Sequence, residues 1–220
     1  MTFEIITIFP DMFKNIFDYG VIGQAVKSGI LKINIHDLRK WSNDKHKQVD
    51  DKPYGGGTGM IMMPEPLYLA ISELKQKDSK VIFTSPKGQK FSQQVSEDLS
   101  KNEHIIFICG RYEGIDQRII DNFVDLELSI GDYVLSGGEI PVMVIIDSIS
   151  RLVPNVIKND DFNTDESFSN PENRNELDYP QYTRPADFMG KKVPEVLLTG
   201  NHKLIADWRK SQKTTRQIKS

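Results

Sequence analysis

The chain has 220 residues, 38% of them hydrophobic, a formal charge of −3 and a single cysteine. That length suits one large domain or a main domain with a small appendage, and the apolar share is enough for the ordinary core of a soluble globular protein. The negative balance argues against a protein that coats nucleic acid indiscriminately; a lone Cys109 excludes an internal disulfide or a cysteine-built zinc site and fits the reducing cytoplasm.

The N-terminus, Met1-Thr-Phe-Glu-Ile-Ile-Thr-Ile-Phe9, has no basic leader region and runs into Pro10-Asp11. It predicts a first strand over 3–9 and no signal peptide. Further strand-like runs fall at 31–36, 80–84, 104–109 and 125–128, with helical patterns at 66–76, 92–101 and 114–122. This alternation predicts an α/β sheet with helices on its faces. A further helix is expected over 139–152, with Val142, Ile145, Ile146, Ile149 and Leu152 as its buried stripe. No apolar run approaches the roughly 18 residues a membrane span needs, so no membrane partner is expected.

Residues 159–178 are rich in Asn, Asp and Glu and poor in core-formers, which reads as a flexible acidic linker between a main domain over 1–158 and a small basic helical domain over 179–220. From Arg184 to the end there are nine Lys or Arg against three acids, a local charge of +6 that leaves −9 for the rest. Such a tail suits phosphate contact, although a solvated face is its ordinary explanation.

Two glycine-bearing loops follow apolar runs: Cys109-Gly-Arg-Tyr-Glu-Gly-Ile-Asp116 and Ser129-Ile-Gly-Asp-Tyr-Val-Leu-Ser-Gly-Gly-Glu139. Glycine there lets bare backbone approach a ligand or take a positive φ, which predicts a nucleoside-type pocket walled by main chain. Neither loop is a dinucleotide fingerprint or a P-loop. A third glycine-rich loop, Asp50-Asp-Lys-Pro-Tyr-Gly-Gly-Gly-Thr-Gly-Met60, offers main-chain donors with Tyr54 for stacking, and Ser85-Pro-Lys-Gly88 follows a strand at the end where α/β proteins bind ligands. The four histidines lie far apart in sequence, without metal-ligand spacing. Arg151 stands four residues after Asp147, as in an ordinary helix ion pair, or as a cation for charge developing on a substrate oxygen. Asp165 and Glu166 are solvated acids or, on a mobile segment, candidate general bases.

The strings Pro53-Tyr-Gly-Gly-Gly-x-Gly-Met60, Cys109 to Asp116, Ser129 to Glu139, Tyr182-Thr-Arg-Pro185 and Val196-Leu-Leu-x-Gly-Asn-His202 together resemble the bacterial tRNA (guanine-N1)-methyltransferase family over nearly the whole chain. The resemblance implies a SPOUT-class α/β fold: a trefoil-knotted parallel sheet with helices on both faces and a small helical C-terminal domain, an exception to the rule against knots. It implies S-adenosylmethionine as methyl donor, a tRNA anticodon loop as substrate with methylation at N1 of the guanine immediately 3′ of the anticodon (position 37), and a cytoplasmic homodimer with active sites at the subunit interface. The donor pocket then falls on Thr84, Ser85 and Pro86, on Gly110, on Ser129, Ile130, Gly131, Asp132, Tyr133, Val134 and Leu135, and on Gly137, Gly138 and Pro141. Arg151 takes the place of the electrophilic arginine, and Glu113 that of an acid near donor and substrate. Magnesium dependence is also a family property; no metal ligand is assigned.

The chain departs from the family pattern in three places. Where members read Asp-Ser-Phe, Asp165-Glu-Ser-Phe168 puts Glu166 at the position of the catalytic aspartate and Asp165 one before it. Residues 170–175 lengthen the linker. The chain ends soon after Trp208-Arg209, where many members continue with basic helix, which implies either a weaker hold on tRNA or a natural short form. The missing aspartate leaves an alternative, a catalytically impaired RNA-binding protein of the same fold.

Overall fold

Five parallel strands, in the order Lys32–Asp37 (β2), Thr2–Thr7 (β1), His104–Cys109 (β6), Lys80–Lys90 (β5) and Leu126–Ser129 (β7), form the sheet around which the N-terminal residues are organised. The computed structural model describes residues 1–157 and 166–216, and the chain divides into two units, Met1–Lys158 and Asn159–Ser220. In chain order the first unit contains β1 (Thr2–Thr7), α1 (Gly20–Lys27), β2 (Lys32–Asp37), β3 (Asp50–Asp51), β4 (Ile61–Met62), α2 (Pro64–Leu74), β5 (Lys80–Lys90), α3 (Gln93–Leu99), β6 (His104–Cys109), α4 (Gln117–Phe123), β7 (Leu126–Ser129) and α5 (Glu139–Ser150).

The central strand β6, His-Ile-Ile-Phe-Ile-Cys, is buried at all six positions, as a parallel strand covered on both faces must be. Its alternating side chains feed two cores. Ile105, Phe107 and Cys109 pack with Phe3 and Ile5 of β1 and with Val142, Ile145, Ile146 and Ile149 of α5. Ile106 and Ile108 pack on the opposite face with Leu67, Ala70 and Ile71 of α2 and Ile119 of α4.

All five expected sheet strands are present, β6 with the expected bounds and the others with shifted ends, and the four expected helices are shorter or displaced by a few residues. Helix α2 starts at Pro64, whose fixed φ suits a first helical position. Helix α4 starts only at Gln117, because Asp116 caps it by accepting from the Arg118 amide and because Tyr112 and Gly114 just upstream take positive φ. Helix α1 was not expected: it is eight residues long, contains two glycines and buries only Ile22, Gly23 and Ala25. Strand β5 runs past the expected 80–84 to Lys90. Both Thr84 and Gln89 lie opposite Leu128 of β7, so residues 85–88 leave the ladder and return to it.

Residues 158–165, which include the first part of the expected 159–178 linker, lie outside the described residues. The rest of that stretch is structured: Glu176–Leu177 (β8) pairs antiparallel with Thr214–Thr215 (β11), and Phe168 donates to the Glu176 carbonyl at 2.8 Å. Low hydrophobicity thus does not make 166–178 featureless, because local hydrogen bonds satisfy its backbone. The second unit also holds a hairpin of β9 (Asp187–Phe188) and β10 (Lys191–Lys192), a 3₁₀ turn over Glu195–Leu198 and α6 (His202–Gln212). It is therefore mixed, where a helical unit was expected.

Candidate functional site

The carboxyl ends of β5, β6 and β7 open into a cavity of about 420 Å³, the place where ligands bind in α/β sheets and a size common for ligand pockets. Three walls form it: residues 84–87 after the regular part of β5, 110–115 after β6, and 129–138 between β7 and α5. Of the sequence-derived pocket residues, Thr84, Ser85, Pro86, Gly110, Ser129, Ile130, Gly131, Tyr133, Val134, Leu135, Gly137, Gly138 and Pro141 line it, as does Glu113. Asp132 does not. Its carboxylate turns to Lys90, 2.7 Å away, on the exposed side of the loop.

The glycines at the end of the third wall are needed for close approach and not for positive φ, since neither Gly137 nor Gly138 takes one. A Cβ on Gly138 would lie 2.4 Å from Thr84 Oγ1, 2.8 Å from the Gly110 nitrogen and 2.9 Å from Cys109 Cα. The Gly138 amide donates to the Gly110 carbonyl at 2.8 Å, and the Thr84 hydroxyl donates to the Gly138 carbonyl at 3.3 Å. The loops after β5 and β6 and the start of α5 are thereby locked together.

The third glycine-rich loop is tied to the second wall through β4. Met62 donates to the Gly114 carbonyl and accepts from Asp116, and Glu113 donates to the Met60 carbonyl. Gly59 lies against the Glu113 side chain, so the carboxylate sits between this loop and the cavity. Tyr54 at the loop's tip is fully exposed. Burial and the adjacent Asp50 carboxylate push the Tyr112 phenol above its usual range, and burial raises the Cys109 thiol well above its own, so that cysteine stays protonated.

Arg151 is not part of the cavity wall. It caps the C-terminal end of α5, whereas Gly138 at the other end closes the cavity. Twelve residues of helix separate them, about 18 Å at 1.5 Å per residue. Glu166 belongs to the second unit, where its backbone carbonyl accepts from Ser169 Oγ at 2.7 Å; Asp165 lies outside the described residues. Among the described residues, no three His, Cys, Asp or Glu side chains are grouped to hold a metal ion.

Two charged groups escaped sequence reasoning. Glu139, wholly buried, accepts from Thr7 Oγ1 and from Arg111 Nε, each at 2.8 Å. Glu4 of β1 accepts from Asn34 Nδ2 at 2.9 Å and contacts His36 Nε2, with His104 Nε2 3.6 Å from its other oxygen. Histidines far apart in sequence thus meet on one sheet face through strand register. For Glu139 the available signal was an acid directly after a glycine pair, opening an otherwise apolar helix.

A parallel α/β sheet with a glycine-bearing cavity at its carboxyl edge has the architecture of a small-molecule-binding α/β domain. The chain belongs to the tRNA (Guanine-1)-methyltransferase TrmD family, whose model matches residues 1–220. It is 51% identical over 209 residues to a tRNA (guanine-N(1)-)-methyltransferase of Dictyoglomus turgidum, covering 95% of this chain and 83% of that one. A protein of the same description from Buchnera aphidicola is 54% identical over 213 residues (96% and 88% covered), and one from Ruminiclostridium cellulolyticum 49% over 219 (98% and 92%).

Proposed function

We propose that the protein transfers the methyl group of S-adenosylmethionine to N1 of the guanine immediately 3′ of the anticodon, position 37, of tRNA. The observation that carries the reading is the cavity at the carboxyl ends of β5, β6 and β7, in a chain of this family. Its walls suit such a donor: glycines and small residues stand beside Tyr112, Tyr133 and Ile130, and the cavity holds roughly 420 Å³. Thr84 to Pro86, Gly110 and the 129–138 loop would hold it. When bound, it supplies an electrophilic methyl group.

The other tasks fall to side chains. Guanine N1 carries a proton and is a poor nucleophile until that proton leaves, and its departure spreads negative charge onto O6. Glu166, with Asp165 as the competing candidate, takes the proton. Arg151 faces the charge on O6, and Glu113 steadies the substrate side of the cavity. An anticodon loop is a suitable target because its unpaired bases can be read on their edges.

We further infer a homodimer with composite sites and, in the first unit, the knot that the SPOUT resemblance implies. Arg151 stands a helix length from its own chain's cavity, so a second copy is the natural route by which its guanidinium meets a donor. The exposed apolar side chains Phe9, Met12 and Ile16, and Ile140 and Val144 of α5, are candidates for contact with that copy. The first unit serves as the donor domain, the residues around 159–178 as the connection, and the remainder as the tRNA-binding part in the cytoplasm.

The test is incubation with labelled S-adenosylmethionine and tRNA transcripts differing only at the guanine after the anticodon. Label must enter the guanine transcript alone; no label, with the donor bound, would leave an RNA-binding protein without chemistry. For the composite site, a Gly138→Val protein is mixed with a Glu166→Gln protein. Random exchange should restore about a quarter of wild-type activity, because one of the two sites in each mixed dimer collects neither defect. No recovery with mixed dimers proven by mass spectrometry would place each site within one chain.

A further inference from the structure

Glu139 is a charged side chain with no exposure to solvent, and an unpaired carboxylate there would be strongly unfavourable. It is satisfied at both oxygens. Oε1 accepts from Thr7 at the end of β1, and Oε2 from Arg111 Nε after β6; the position in the first turn of α5 adds the favourable end of the helix dipole. Arg111 in turn uses Nη1 to donate to the Ser136 carbonyl at 3.1 Å, and its guanidinium lies 4.6 Å from the centre of the Phe9 ring. It also fills the space above Gly137, where a Cβ would come within 2.2 Å of Nε. One buried carboxylate therefore fixes an arginine that holds the 136–137 backbone on one wall of the cavity.

We propose that Glu139, acting through Arg111 and braced by Thr7, is a positioning residue that sets the shape of the donor cavity. The inference rests on the reading of that cavity as the methyl-donor site, but the clamp itself does not. Thr7 ends β1, which lies between β2 and β6, and does not line the cavity. Its hydroxyl donates to Glu139 and also accepts from the Phe9 amide at 2.9 Å, so it braces Arg111 both through Glu139 and through the Phe9 ring. A neutral Glu139→Gln side chain of equal shape can still accept from Arg111 and donate to the Thr7 hydroxyl, but it removes the carboxylate charge that holds the guanidinium, so the charge-assisted bond is weakened.

The experiment compares wild type, Glu139→Gln, Thr7→Val and Thr7→Ser. Hydrogen–deuterium exchange on the ligand-free proteins reads the clamp. Amides in a peptide covering 133–138 should exchange at least about tenfold faster in Glu139→Gln and Thr7→Val, with Thr7→Ser near wild type and peptides from α2 unchanged. Steady-state kinetics reads the consequence: the KM for S-adenosylmethionine should rise about tenfold or more, while the KM for tRNA and kcat stay within about twofold. A merely structural role would move all three constants together, whereas the serine variant reports only that the hydroxyl is what matters. If Glu139→Gln does not fold, the valine and serine pair decides. Unchanged exchange at 133–138 in the folded variants overturns the clamp. Faster exchange with an unchanged donor KM overturns its link to the cavity, and a wild-type protein that binds no donor overturns the methyltransferase reading while the exchange result stands.

Discussion

Replacing Gly138 by alanine adds one carbon at the most crowded point of the cavity. In the structure that carbon would lie 2.4 Å from Thr84 Oγ1 and within 3 Å of backbone atoms of Gly110 and Cys109. Thr84 is buried and Cys109 belongs to the central strand, so neither neighbour can step aside cheaply. Overpacking of this kind costs about 1–3 kcal/mol. The displaced backbone would also weaken the 2.8 Å bond from the Gly138 amide to the Gly110 carbonyl, for about another 1 kcal/mol. Because the strained atoms are the cavity wall, part of the cost should appear as lost ligand affinity; some 1.4–2.8 kcal/mol of it corresponds to roughly 10- to 100-fold in Kd. The assay is titration calorimetry with S-adenosylmethionine alongside urea unfolding. Gly29→Ala is the control: its φ of +77° strains any side chain, but a Cβ there meets nothing within 4 Å. It should lower stability and leave the donor Kd unchanged. A folded Gly138→Ala protein with wild-type donor affinity would refute the reasoning.

Glu166→Gln, or failing that Asp165→Asn, should lower kcat for tRNA methylation on the order of 10²–10⁴-fold with donor Kd retained; full activity in both single variants would sink the assignment of the base to this segment. Charge reversal at the exposed Lys203 and Lys210 should raise the KM for tRNA at low salt, with the difference fading as salt is added. Lys213 is the wrong choice for that test, since it is spent on Glu176 at 3.2 Å. Hydrogen bonds from Arg118 hold the Asp116 carboxyl below its ordinary value, so its contribution is full above the ordinary carboxylate pKa of about 3.9 and is lost as pH falls through the lower folded value. Asp116→Asn should therefore destabilise at neutral pH, and the gap to wild type in urea melts should close in acid; a gap that widens there would contradict it.

What could be read from the sequence was local. The continuous apolar run at 104–109 read as a strand, and the glycine pairs marked where backbone must come close, so the strands and most of the cavity wall were legible. Long-range pairings were not. Thr7 and Glu139 are 132 residues apart, and no periodicity links them. The meeting of His36 and His104 around Glu4 depends on the register of β1 against β2 and β6, which a linear pattern does not encode. Helix α1 was missed because a short segment with two glycines has weak propensity and is stabilised by packing. The reason for Gly137 was also misjudged: what excludes a side chain is an arginine arriving from residue 111.

The double pairing of Leu128 with Thr84 and Gln89 makes the segment between them a closed loop whose two ends are pinned to one residue of the neighbouring strand. Gly88 makes the return possible, since a Cβ there would lie 2.5 Å from the Leu128 nitrogen. The length of that excursion is thereby uncoupled from the sheet. Adding or removing a residue within 85–87 would leave every strand in register, at a loop-closure difference well below 1 kcal/mol, and would change only how far the rim projects over the cavity. Ligand preference in such an architecture can drift by insertion and deletion at one short stretch while the rest of the molecule keeps its shape.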